Sequence, residues 1–182
     1  MYTVVLVLML LTVFNFLLKQ TFWKLPAIGI STVVAAVFVG LMWPYAIEQS
    51  KTQIASWLNN PELMLDTSVI LTIEVSLQMA YCLLAAHLHN VYPVKKRTLW
   101  VYRFLRWFPG LLIYPVLFSG LVYFIFAFPG VSFSLIAWSF SAAILIIIPA
   151  GIWILRKVLP EKELRLELLF LSNALLAILG IV

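Results

Sequence analysis

Charged side chains are scarce in this sequence: they make up 10% of 182 residues, against about 25% in a soluble globular domain. Apolar residues fill 64% of it. A soluble fold cannot bury so much apolar surface, and the exposed remainder would drive aggregation. Cysteine is nearly missing as well. Cys82 is the single thiol, which excludes a disulfide framework and a thiolate metal cluster. The two histidines, His87 and His89, sit two apart, so on a helix they point about 200° from each other and cannot hold one ion together. With no further histidine on another span, no bis-histidine haem site can form, and neither metal nor cofactor is expected. The G-x-S-x-G and H-E-x-x-H patterns, phosphate-binding glycine loops and paired aspartates are absent too, so no enzyme is expected. The net charge of +5 is spread among loops rather than gathered on a nucleic-acid-binding face.

Long apolar runs are abundant. About 20 apolar residues cross a bilayer core as a helix. Six runs approach or reach that length: residues 1–18, 26–47, 67–88, 108–128, 131–155 and 164–182. The first lacks a basic start and a small-residue cleavage pattern, so a span rather than a secretion signal is expected. In the last, Arg165 and Glu167 shorten the apolar part. Pro160, Glu161 and Glu163 nevertheless open a helix well, with proline early and acids at the positive dipole end. The expected fold is an all-α integral membrane protein, one transmembrane helical domain over 1–182, with about six spans, short loops and a short amphipathic outer helix.

Orientation follows from the basic residues. Lys19 and Lys24 fall in the first loop, Lys51 in the second, and Lys95, Lys96, Arg97, Arg103 and Arg106 in the third. None falls in the fourth, and Arg156, Lys157, Lys162 and Arg165 are in the fifth. Odd loops thus hold eleven of the 12 basic residues. The positive-inside rule puts those loops in the cytoplasm and both termini outside a bacterial inner membrane. Aromatic residues including Trp23, Trp43, Trp100, Trp107 and Trp153 fall near span ends, where amphipathic rings settle.

Two loops have content. In the outer one Ile47, Ile54, Trp57 and Leu58 share a helical face opposite Gln49, Lys51 and Gln53, which predicts a short surface helix over 48–59. The inner one, VYPVKKRTLWVYRFLRWFPG, is basic and aromatic. Its Lys95, Lys96, Arg97, Arg103 and Arg106 suit anionic headgroups or an acidic partner.

The third span carries an acid. Ionisable groups at mid-bilayer cost about 2.5–3.5 kcal/mol on insertion scales and turn toward the bundle interior or water. Glu74 lies roughly 10 Å from the outer end of its span at 1.5 Å per residue. Thr67, Glu74, Gln78, Tyr81, Ala85 and His89 fall near one line of that helix, interrupted by Leu71. Such a seam is either an ion or proton path or polar glue to a neighbouring helix or subunit. Elsewhere, Ala36-x-x-x-Gly40 and Ala137-x-x-x-Ser141 suit close helix approach.

The stretch MWPYAIEQSKTQIASWLNNPELMLDTSVILTIEVSLQMAYC resembles small membrane proteins of bacterial haem or tetrapyrrole uptake operons, in the manner of HmuT. These accompany an ExbB/TolQ-type proton-channel protein, an ExbD-like protein and a cobaltochelatase-like protein. The resemblance implies an accessory subunit near an ion-driven motor, with ExbB/ExbD-like membrane partners and a role in haem uptake powered by the proton motive force. The residues themselves leave two expectations: a noncatalytic polytopic subunit of a membrane complex, or a small secondary transporter or ion channel using Glu74.

Overall fold

In a computed structural model the residues described are 2–49, 61–90 and 96–180, and all their regular structure is helical. The helices are α1 (Tyr2–Gln20), α2 (Leu25–Leu41), α3 (Trp43–Glu48), α4 (Pro61–Asn90), α5 (Lys96–Trp107), α6 (Ile113–Ala127), α7 (Phe133–Val158) and α8 (Lys162–Leu179). Three contain stretches long and apolar enough to cross a membrane: Thr3–Gln20, Thr67–Leu88 and Phe133–Val158. Large apolar side chains such as Leu10, Ile30, Ile73, Tyr123, Ile146 and Leu171 are exposed around the outside. An apolar exterior of this kind belongs in lipid, where it costs nothing.

Two core clusters flank α1. Phe16 joins a core with Ile28, Val39, Leu121, Ile125, Ile144 and Ile152, from α2, α6 and α7. Leu18 joins one with Tyr81, Cys82, Leu105 and Leu169, from α4, α5 and α8. Helices α1 and α7 run parallel, with Leu17 against Gly151 and Thr21 bonded to Arg156, whereas α4 and α8 run antiparallel. Asn173 bonds Gln78 while Gly180 approaches Leu71, which sets α8 against α4.

The small-residue motifs of α2 and α7 meet face to face. The Ser141 hydroxyl donates to the Ala36 carbonyl at 2.7 Å, and Ala36, Gly40, Ala137 and Ser141 are all buried. A Cβ built on Gly40 would sit 3.1 Å from the Trp138 ring, so glycine sets the helix separation there. Gly40→Val is expected to weaken the fold measurably in detergent melts. Ser141→Ala should cost only about 0.6 kcal/mol, the average intramembrane hydrogen bond.

Three expected boundaries move. The second run does not continue to Ile47 as one helix: it breaks at Met42, and α3 restarts with proline in its first turn. The segment before the fourth run is not a loop, because residues 96–107 form α5. That fourth run begins its helix only at Ile113, after Phe108-Pro109-Gly110, where Gly110 takes φ +94°. Proline removes a helical donor and the left-handed glycine turns the chain. The predicted outer helix over 48–59 lies outside the described residues beyond Gln49.

The odd basic segments gather at one end of the bundle. Arg156 donates to the Thr21 carbonyl at 2.9 Å and the Trp23 carbonyl at 2.7 Å. Arg106 donates to the Phe22 carbonyl at 2.7 Å, and the Trp23 indole returns a bond to the Arg106 carbonyl at 2.6 Å. Thus α5 and the α1–α2 and α7–α8 connections share one end of the bundle.

Candidate functional site: a buried polar chain ending on Glu74

Five polar side chains from three helices line up inside the bundle. Ser172 of α8 donates to Asn15 Oδ1 of α1. Asn15 Nδ2 donates to Asn173 Oδ1 at 3.3 Å, and Asn173 Nδ2 to Gln78 Oε1 at 3.1 Å. Gln78 Nε2 then donates to Glu74 Oε1 at 3.0 Å. Every donor in this chain points toward the carboxyl, an alignment in which each bond polarises the next. All five residues are buried, and each would be costly in a low-dielectric interior without its neighbours.

The other carboxyl oxygen closes a helix end. Glu74 Oε2 accepts the backbone N–H groups of Leu111 and Leu112, each at 2.7 Å. These lie at the start of α6, whose N-cap residue, Leu112, has no side chain able to cap. A helix start leaves unpaired amides and carries the positive end of the dipole. Glu74 reaches across from α4 to satisfy both needs. Gly110 makes the approach possible: a Cβ there would lie 2.7 Å from Glu74 Oε1.

A cation shares the region. Lys19 is fully buried in the last turn of α1, with its ammonium 3.4 Å from the centroid of the Tyr81 ring. Its Nζ makes no hydrogen bond. The aromatic face offers cation–π stabilisation of up to about 2 kcal/mol when desolvated, and Lys19 and Glu74 lie near enough to act on each other electrostatically. Tyr81 in turn stacks on Tyr102 of α5 at 5.7 Å.

The expected seam is therefore brought together in part. Glu74, Gln78 and Tyr81 are buried on one face of α4, with Ala85 half-buried below them. Thr67 is exposed and stands outside the cluster. His89 is on α4, but its side chain lies outside the described residues, and His87 is exposed. Among the described residues no three His, Cys, Asp or Glu side chains converge as a metal site would need. Of the basic set, Lys95 lies outside the described residues. Lys96, Arg97 and Arg103 are exposed on α5, alongside exposed Trp100, Phe104 and Trp107. Arg106 instead turns inward to the α1–α2 connection.

Sequence reasoning placed Lys19 in a loop, and the structure corrects this, since its side chain is in the core. It also passed over Asn15, Ser172, Asn173 and Gly110. Two asparagines inside otherwise apolar runs were the visible signal, because an amide in a span needs a partner. Comparison with protein-family models, curated proteins and solved structures gives no match.

Proposed function

We propose that the chain is a noncatalytic polytopic subunit of a bacterial inner-membrane complex. The observation that carries this reading is the full engagement of Glu74 within its own chain, on two backbone amides and Gln78. An acid held in that way serves as internal glue, since both of its oxygens already accept hydrogen bonds from its own chain. In this reading the passes are α1, α2 with α3, α4, α6, α7 and α8, the basic end faces the cytoplasm, and both termini lie outside. The apolar exterior then meets lipid and partner subunits. An ExbB/ExbD-type energising complex for haem or tetrapyrrole uptake is the narrower form of the proposal, and it rests on the resemblance of residues 42–82.

A second reading, a small transporter or ion channel, draws on buried Lys19 near Glu74 and on the interrupted passage from α5 to α6. Broken helices with charged groups at their ends mark ion sites in transporters.

Purification in mild detergent from the native membrane separates the two. A subunit migrates with larger membrane proteins at constant stoichiometry, whereas a self-contained transporter runs alone or as its own oligomer. In the same cells, a cysteine at Lys96 should be labelled only from the cytoplasmic side. Labelling from outside would overturn the orientation.

A further inference from the structure

At the basic end of the bundle the α1–α2 connection, α5, α7 and α8 line an open cavity of about 560 Å³ that includes Arg106, Arg156, Lys162 and Arg165 and, among the described residues, no carboxylate. Glu161 and Glu163 flank Lys162 in sequence but are exposed and outside that lining. Arg165 is only 6% exposed and its Nε has no hydrogen-bond partner. Its guanidinium lies 5.6 Å from the Phe22 ring centroid, near enough to Arg156 for the like charges to repel. Arg106 and Arg156 hold backbone carbonyls of the α1–α2 connection, but each guanidinium has five N–H donors, more than these bonds use. A buried cation with an unmet donor among three others is unfavourable by itself and becomes favourable around an anion.

We propose that this cavity binds a phosphate group, and that the phosphate is the headgroup of an anionic phospholipid. Arginine forks match phosphate oxygens two at a time, and basic pockets between membrane helices are suited to lipid headgroups. The position favours a lipid over a soluble anion. Tyr102 and Arg106 line the cavity from α5, and the exposed Trp107 of that helix lies against the lining residue Trp23, with ring centroids 6.1 Å apart, as aromatic side chains are at a bilayer interface. Acyl chains can then follow the apolar exterior while the headgroup sits among the four cations.

The test uses the purified full chain in detergent with phosphatidylglycerol or phosphatidylcholine, bound lipid being counted by native mass spectrometry. Phosphatidylglycerol should be retained about tenfold or more over phosphatidylcholine, since several basic residues attract the anionic headgroup at once. Lys162→Gln with Arg165→Gln should abolish the preference. Lys24→Gln with Lys157→Gln removes the same charge from exposed positions outside the cavity and should leave it intact. If loss of Arg165 prevents folding, Lys162→Gln alone, at an exposed side chain, should still reduce retention severalfold. Equal retention of both lipids, or equal loss in the two double variants, would overturn the site. Displacement of the lipid by pyrophosphate at matching concentration would assign the cavity to a soluble phosphate and overturn the lipid assignment.

Discussion

Replacing Glu74 with leucine is expected to lower the stability of the folded chain by about 2–4 kcal/mol, because buried donors left without partners cost about 1–3 kcal/mol each. Three donors lose their acceptor: the amides of Leu111 and Leu112 and the side-chain amide of Gln78. Leucine returns part of the loss by apolar packing. Glu74→Gln should be much milder, near 1 kcal/mol, since its carbonyl still accepts the two backbone amides and its NH₂ can be accommodated if Gln78 and the asparagines beyond it reverse their amides. Melts in one detergent, with uptake measured in cells carrying each variant where the proposed role in an uptake complex holds, separate glue from proton path. Glue requires near-normal uptake with glutamine and poor assembly with leucine. Loss of uptake with glutamine in a fully assembled protein would establish the proton path instead.

Gly110→Ala is expected to be comparably severe, for two separable reasons. Alanine is strained at φ +94°, by about 1–2 kcal/mol. Its Cβ also falls 2.7 Å from Glu74 Oε1, and that oxygen is pinned by its hydrogen bond to Gln78. The sequence supplies its own control. Phe128-Pro129-Gly130 repeats the local pattern, with φ +98° at Gly130 and nothing within 4 Å of a Cβ there. Gly130→Ala should therefore show the backbone share alone, and Gly110→Ala about 1–2 kcal/mol more, the usual cost of overpacking. Combining Gly110→Ala with Glu74→Ala should cost less than the sum of the two, because the shortened side chain no longer meets the new methyl. Thermal melts of the four variants measure this. Equal losses at Gly110 and Gly130 would remove the Glu74 contact from the account.

Local signals made part of this architecture legible. Apolar length identified the runs that became α1, α4 and α7, and the spacing of Glu74, Gln78 and Tyr81 placed them on one face of α4. The small-residue motifs in α2 and α7 pointed to close approach because a missing side chain leaves a groove. Features that depend on distant partners were hidden. Asn15 and Asn173 are far apart in sequence and meet only once α1 and α8 pack. Lys19 looks like a loop charge at the end of an apolar run, and only the Tyr81 ring across the bundle explains its burial. The α6 boundary was equally hidden, because its cap comes from α4 rather than from a neighbouring serine or aspartate. Helix α5 reads as a loop in the sequence because its charges and aromatics conceal a helical segment of 12 residues.

Glu74 is committed inside the chain as the cap of α6. Hydrogen–deuterium exchange at the Leu111 and Leu112 amides tests it most directly, in the wild type and in Glu74→Leu. Both amides should be protected in the wild type, and in the variant they should exchange faster by roughly tenfold or more, at about 1.4 kcal/mol per factor of ten, while the amides of α7 keep their protection. Unchanged exchange at both positions would contradict the account.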